Sequence, residues 1–383
     1  MSTMAIVGGG SGGIVAANRL REKLGREHEI VLFDRDSHHR FQGSFLWVMT
    51  GARTPEAVSK PLSRLERKGI RYVNASVETI DTDAGRLTAG GVQHGYDYLL
   101  LSPGAELNME AVPGLSEGSL TPFNLEGAVA LRDALQRFGG GKIVVLVAGM
   151  PYKCPAAPYE AALLIDWVLR QRGIRERSHI AVHTWEPQPM PVAGKEMGDA
   201  VKSMLADRHI DYFPGRKVSE VDAEGREIVF EDGQRVAADL IVSVPFHRLP
   251  RFCSDSGLAE PGAWLSVTDP HLMTMDKERV WAIGDAVKID LAMGLPLPKA
   301  GVFAHYQAEA VAKSIAAQAA GKGEPGAFDG HGMCFLETGG PIAGYASGNF
   351  YAEPKPTLKI GNPNRLNHLG KMAFERWWLW RWL

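Results

Sequence analysis

The apolar and polar positions of this chain change period repeatedly, and the first change comes at its start. Ala5-Ile6-Val7 is a short apolar run, a glycine-rich turn follows, the stretch to about Lys23 is helical in pattern, and Ile30 to Phe33 is apolar again. This predicts strand, tight turn, helix, strand. Segments near 71–80 and 86–98 alternate as strands with hairpin-like turns, and Leu99-Leu100-Leu101 runs into the small turn Ser102-Pro103-Gly104-Ala105. Residues 125–138 are helical in pattern and Gly139-Gly140-Gly141 breaks it. A second strand, helix and strand are predicted over 142–148, 157–171 and 180–184. Then come a helix over 197–208, short strands over 210–242, an apolar strand from Val280 ending on Gly284-Asp285, and a helix over 302–319. Gly321 to Gly326 reads as a linker, and 328–383 as a distinct tail.

The first turn carries Gly8-x-Gly10-x-x-Gly13. In such a turn one glycine makes the bend, one lets backbone approach a pyrophosphate, and one lets helix and strand touch. The phosphates lie on the positive end of the helix that begins near Ser11. Asp34 ends the second strand 21 residues beyond Gly13, where an acid bonds ribose hydroxyls. Strand, helix and acid together point to a dinucleotide site; the plainer alternative is a glycine-rich turn in an ordinary unit.

A chain of 383 residues predicts two or three domains. Its 42 basic and 44 acidic residues balance, which gives no electrostatic case for nucleic acid. Three cysteines, Cys154, Cys253 and Cys334, are too few for a disulfide framework. A strand starting by residue 5 leaves no room for a secretory signal, so a cytosolic chain is expected. The histidines lack metal-ligand spacing, and no metal is expected.

The second turn departs from the first. Gly149-Met150-Pro151-Tyr152-Lys153-Cys154-Pro155-Ala156-Ala157-Pro158-Tyr159-Glu160 puts three prolines and bulky side chains where bare backbone would be needed, which argues against a nicotinamide pyrophosphate site. The stretch 35–54, with Phe41, Phe45 and Trp47, reads as an irregular loop that either covers a flat ring or tucks its aromatics into the core.

With its fingerprint, second strand-helix-strand unit and late Ile283-Gly284-Asp285-Ala286, the chain resembles the two-dinucleotide-domain flavoproteins of the disulfide-oxidoreductase type over about residues 4–320. The cysteine turn narrows this to a resemblance to sulfide:quinone oxidoreductases and to the flavin subunit of flavocytochrome c sulfide dehydrogenases. The resemblance implies an α/β fold of two Rossmann-like units. Residues 1–115 and 271–320 would bind FAD, 116–270 would form a second unit with a degenerate nicotinamide loop, and 321–383 a C-terminal region with an interfacial membrane-anchor helix. FAD would contact Gly8, Gly10, Gly13, Asp34, Ser102, Gly104, Gly284 and Asp285, with Lys299 against the pyrimidine end of its ring.

It also implies that Cys154 pairs with Cys334 over the flavin as a redox-active disulfide. Hydrosulfide would attack it, leaving a persulfide and a thiolate, and electrons would leave through flavin to quinone with sulfur or polysulfide as product. A thiolate is favoured near cations, and Lys153 is adjacent. Glu160 is either the proton acceptor or an acid suited to a helix's first turn. No cysteine precedes Cys154, which rules out covalent flavin through an N-terminal cysteine; Cys253 reads as a buried or loop thiol.

Trp377, Trp378, Trp380 and Trp382 crowd the tail with Arg376 and Arg381. The segment is shorter than the ~20 residues of a membrane span, yet tryptophan with arginine suits a lipid interface. The expectation is a monotopic protein on the cytoplasmic membrane, with Phe335, Tyr345, Phe350 and Tyr351 as candidates for a quinone channel. The alternative is a tail packed on its own core or on a second copy, which leaves a homo-oligomer open. Other readings are a cytochrome-linked sulfide dehydrogenase, a type II NADH:quinone oxidoreductase, and a flavin-bound protein without activity.

Overall fold

The computed structural model describes residues 1–383. Strands Thr3–Val7, Glu29–Asp34, Arg71–Asn74, Tyr98–Leu101 and Val280–Ala282 form one parallel sheet, with Thr3–Val7 at its centre. Helices Ser11–Lys23 and Gly301–Ala320 pack on it and on each other. The inner strands are buried along nearly their whole length, so their apolar runs are continuous rather than alternating, as parallel strands covered on both faces require. No side chain caps Ser11–Lys23 at its start, because Gly10 occupies that position, so its first N–H groups are left for a ligand.

A second parallel sheet has the order Ile210–Phe213, Ser178–Thr184, Gly141–Val147, Leu240–Val244. Helix Ala157–Gln171 packs on it and buries most of its length. Both Rossmann-like units are therefore present, and a short antiparallel pair, Glu106–Asn108 with Phe246–Arg248, ties the two connections between them. The residues just beyond this pair return to the first unit sooner than the sequence suggested. Cys253 and Leu265, expected in the second unit, are buried in the first core because the chain must run back to the strand at Val280.

The stretch 35–54 is more regular than expected. It holds a strand His38–Arg40, one 3-10 turn and a helix Phe45–Met49 whose Phe45 and Trp47 are buried, while Phe41 is half-buried.

The tail begins as an antiparallel sheet, His331–Glu337, Ala343–Asn349 and Thr357–Asn364. It ends in helix Arg365–Trp382, capped at its start by the Asn364 side chain. This helix returns to the first unit: Trp378, Leu379 and Trp382 join its core. Asn18 Nδ2 donates to the Trp382 carbonyl at 3.1 Å, and Arg19 stacks over the Trp382 ring. The tryptophans thus divide between faces, with Trp382 1% exposed and Trp380 77% exposed beside the exposed Leu366, Leu369 and Trp377. No helix is long and apolar enough to cross a membrane.

Candidate active site

One cavity of about 1250 Å³ runs from the fingerprint turn to the C-terminal helix. It exceeds the roughly 300–1,000 Å³ of a typical small-ligand pocket. At one end lie Gly8, Gly10, Asp34, Ser102, Gly104, Gly284 and Asp285. Gly8 has φ +104°, and a Cβ there would sit 2.2 Å from the Ser102 carbonyl oxygen. A Cβ on Gly13 would strike the Gly8 oxygen at 1.9 Å, so Gly13 serves helix-to-strand packing and does not line the cavity. Gly10 faces space, with nothing within 4 Å of an added Cβ.

The Asp34 carboxylate accepts from the Gly9 N–H and, at 2.7 Å, from the Asp36 N–H. Gly284 donates its N–H to Gln307 at 2.8 Å, and Oδ1 of Asp285 is fully covered without a hydrogen-bond partner. Burial raises the Asp285 pKa, against Lys153 and Lys299. A bare glycine at the head of an uncapped helix, an acid at the strand end and a covered, unpartnered carboxylate oxygen fit a dinucleotide cofactor.

Cys154 lies in the turn before helix Ala157–Gln171 in left-handed backbone, φ +56°. Its N–H donates to the Lys299 carbonyl at 2.7 Å, and its own carbonyl accepts from Ala157 at 2.9 Å. Cys334 lies in strand His331–Glu337, opposite Ala346. Both are free thiols, and both line the cavity. Burial, reinforced by Glu160 and opposed by Lys371, pushes the Cys154 pKa up to about 12. Burial raises Cys334 as well, and a charge on Cys154 would raise it further.

Beside them is a buried polar chain that the sequence did not reveal. Glu160, 3% exposed in the first turn of its helix, accepts from the Glu337 N–H at 2.8 Å and from Lys371 Nζ at 3.3 Å. Lys371 also lies 3.8 Å from the Glu337 carboxylate, which reaches His368 at 3.0 Å. Burial lowers the Lys371 pKa, but Glu160 and Glu337 outweigh it and the net shift is upward. His368 and Lys371 share one face of the C-terminal helix at i, i+3. That spacing was the available signal, but nothing local says that this face turns toward Glu160.

Lys299 does not line the cavity. Its Nζ donates to the carbonyls of Asp285 and Val287 at 2.6 and 3.1 Å and lies over Trp264, a buried setting that lowers its pKa to about 8. Lys153 and Lys371 both line the cavity, and both interact with Cys154 through their charge. Phe335 lines the cavity beside Phe41, Phe374 and Trp377. Tyr345 packs behind Phe335 with ring centroids 5.1 Å apart, and Phe350 packs edge-on to Phe303 at 4.9 Å, so neither reaches it. Tyr351 donates to the Pro270 carbonyl. Cys253 is buried in the first core.

A family model described as pyridine nucleotide-disulphide oxidoreductase matches residues 2–309. The sulfide-quinone reductase of Aquifex aeolicus is 26% identical over 99% of this chain and 90% of its own length. The mitochondrial sulfide:quinone oxidoreductase of Mus musculus is 24% identical over 92% of this chain and 79% of its own. A crystal structure of the sulfide:quinone oxidoreductase from Aquifex aeolicus matches the fold with a TM-score of 0.90, covering 100% of this chain and 91% of that one at 24% identity.

Proposed function

The chain belongs to the pyridine nucleotide-disulphide oxidoreductase family, and from that premise we propose that it is a flavoprotein that oxidises sulfide and reduces quinone at a membrane surface. The observation that carries the reading is Cys154 and Cys334, 180 residues apart, lining one cavity that also contains the fingerprint turn and Asp285. The full-length relatives named above support the choice of substrates.

FAD would be held non-covalently: Gly8, Gly10 and the start of helix Ser11–Lys23 take the phosphates, Asp34 the ribose, Gly284 and Asp285 the ribityl side, and Lys153 supplies the positive charge first sought in Lys299. When bound, FAD supplies the two-electron link between sulfur and quinone. In their oxidised form Cys154 and Cys334 share a disulfide. Hydrosulfide attacks one sulfur, the S–S bond breaks, and the products are a persulfide on one cysteine and a thiolate on the other. Lys371 stabilises the thiolate charge and Glu160 receives the proton of the incoming hydrosulfide. With bound FAD as the acceptor of two electrons, the thiolate and the persulfide would be rejoined as a bridge one sulfur longer, which a further hydrosulfide attacks in turn; repetition lengthens the chain, and its release gives polysulfide or sulfur.

Quinone enters where Phe335, Phe41, Phe374 and Trp377 form an apolar wall. The exposed Leu366, Leu369, Trp377 and Trp380 turn that end of the molecule toward lipid, which makes it peripheral on the membrane. The test is anaerobic: the yellow protein is mixed with sulfide and separately with NADH, and flavin absorbance is followed. Bleaching by sulfide alone, reversed by a soluble quinone, is the expected result. Bleaching by NADH, or by neither, overturns the reading.

A further inference from the structure

The second Rossmann-like unit keeps the skeleton of a nucleotide site and fills it with its own side chains. Gly149 stands two residues beyond its unit's first strand, where Gly9 stands in the other unit, and a Cβ on Gly149 would lie 2.2 Å from the ring of Phe246. Trp185 packs edge-on to that ring at 5.6 Å. The turn that lines the cavity in one unit is roofed by an aromatic in the other.

The acid is reassigned as well. Strand Ser178–Thr184 is the counterpart of Glu29–Asp34, and two residues past its end stands Glu186, 2% exposed. An acid at such a strand end ordinarily takes ribose hydroxyls. Here Oε2 of Glu186 accepts from the hydroxyls of Tyr152 at 2.9 Å, of Tyr159, and of Thr184 at 3.3 Å. Burial raises the carboxyl pKa and these donors pull it back. A buried carboxylate is held by donors that belong to the chain itself.

Tyr152 and Tyr159 bracket Cys154, whose backbone is left-handed and whose N–H is fixed to the Lys299 carbonyl. A non-glycine residue stays in that conformation only when its surroundings hold it there. We infer that Glu186 is a positioning residue: by gripping the hydroxyls on either side of Cys154 it converts a vacated nucleotide site into the mount that presents this thiol to the cavity. The consequence for turnover rests on the proposed sulfide chemistry; the effect on the thiol does not.

The experiment uses reduced holoprotein and iodoacetamide, with each cysteine followed by peptide mass spectrometry. In Glu186→Ala the turn is released and Cys154 leaves its half-buried seat, so its alkylation should speed up by roughly tenfold, while Cys334, Cys253 and the flavin content stay at wild-type values. Glu186→Gln keeps an acceptor oxygen for the two tyrosines and should restore most of the wild-type rate. Sulfide-driven flavin reduction should slow in Glu186→Ala, opposite to the alkylation. An unchanged Cys154 rate in flavin-loaded Glu186→Ala overturns the inference, as does equal acceleration at Cys334. If Glu186→Ala does not retain flavin, Tyr152→Phe replaces it: acceleration confined to Cys154 supports the clamp, and an unchanged rate refutes it. Alkylation involves neither sulfide nor quinone, so a wild-type protein inert to sulfide would sink the functional proposal and leave this result standing.

Discussion

Lys371 Nζ lies 3.3 Å from the carboxylate of Glu160, although 211 residues separate them in the chain. The pair joins the C-terminal helix to the helix that follows the cysteine turn, with both side chains nearly enclosed. Removing one partner of such a pair leaves a buried charge and costs about 3–5 kcal/mol, more than the pair itself contributes.

The two partners act on Cys154 in opposite senses, which separates them experimentally. Glu160 raises the thiol pKa and Lys371 lowers it. Lys371→Met should therefore slow Cys154 alkylation at pH 8, and Glu160→Gln should speed it, each by roughly tenfold if the shift is near one unit. Rates that move in the same direction would show that packing, not charge, governs the thiol.

Gly10 and Gly8 differ in what surrounds them. Gly10→Ala adds a methyl where nothing lies within 4 Å, so the polypeptide should fold normally but lose flavin on dialysis. Gly8→Ala drives a methyl into the Ser102 carbonyl at positive φ, so the protein itself should be destabilised. Flavin content alongside the melting temperature checks both; an intact flavin complement in Gly10→Ala would put the phosphates elsewhere.

The tail tryptophans should divide by face. Trp382→Ala empties a core position and should cost about 3–5 kcal/mol in a urea melt. Trp380→Ala should change stability by no more than about 0.5 kcal/mol yet weaken co-sedimentation with anionic vesicles. Undiminished vesicle binding by Trp380→Ala together with Leu366→Ser would remove the membrane role from this face.

Acid should weaken the fold through His39, buried with Nδ1 bonded to the Gly9 carbonyl at 3.0 Å. Burial lowers its pKa from 6.5 to about 4, with that bond opposing. Below pH 6.5 the unfolded chain takes up a proton that the folded protein refuses until about pH 4, so stability falls across that window and is level above it. Between pH 7 and pH 5 the share of one such group is on the order of 2 kcal/mol. Urea midpoints at pH 7 and pH 5 should converge in His39→Gln.

How much of this was legible follows from the range of each signal. The fingerprint turn, Asp34, the prolines around Cys154 and the Gly284-Asp285 strand end are local patterns, and the elements formed where those patterns lay. Cys334 was reached through resemblance alone. The local marks on Lys371, His368 and Glu186, a helical spacing and a strand-end acid, do not name their partners, and Glu337 has no such mark; each acquires its meaning from a residue on another element. Lys299 shows the same limit: two carbonyls hold its side chain away from the cavity that its neighbour Ala300 lines.

The helix that carries Lys371 and Trp378 leaves the ribosome after every other wall of the cavity. Until it docks against Asn18 and the Trp47 region, the groove beside the fingerprint stays open along one side. A nascent chain can therefore admit its cofactor laterally and be sealed afterwards, so flavin uptake during synthesis should be easier than exchange in the finished protein.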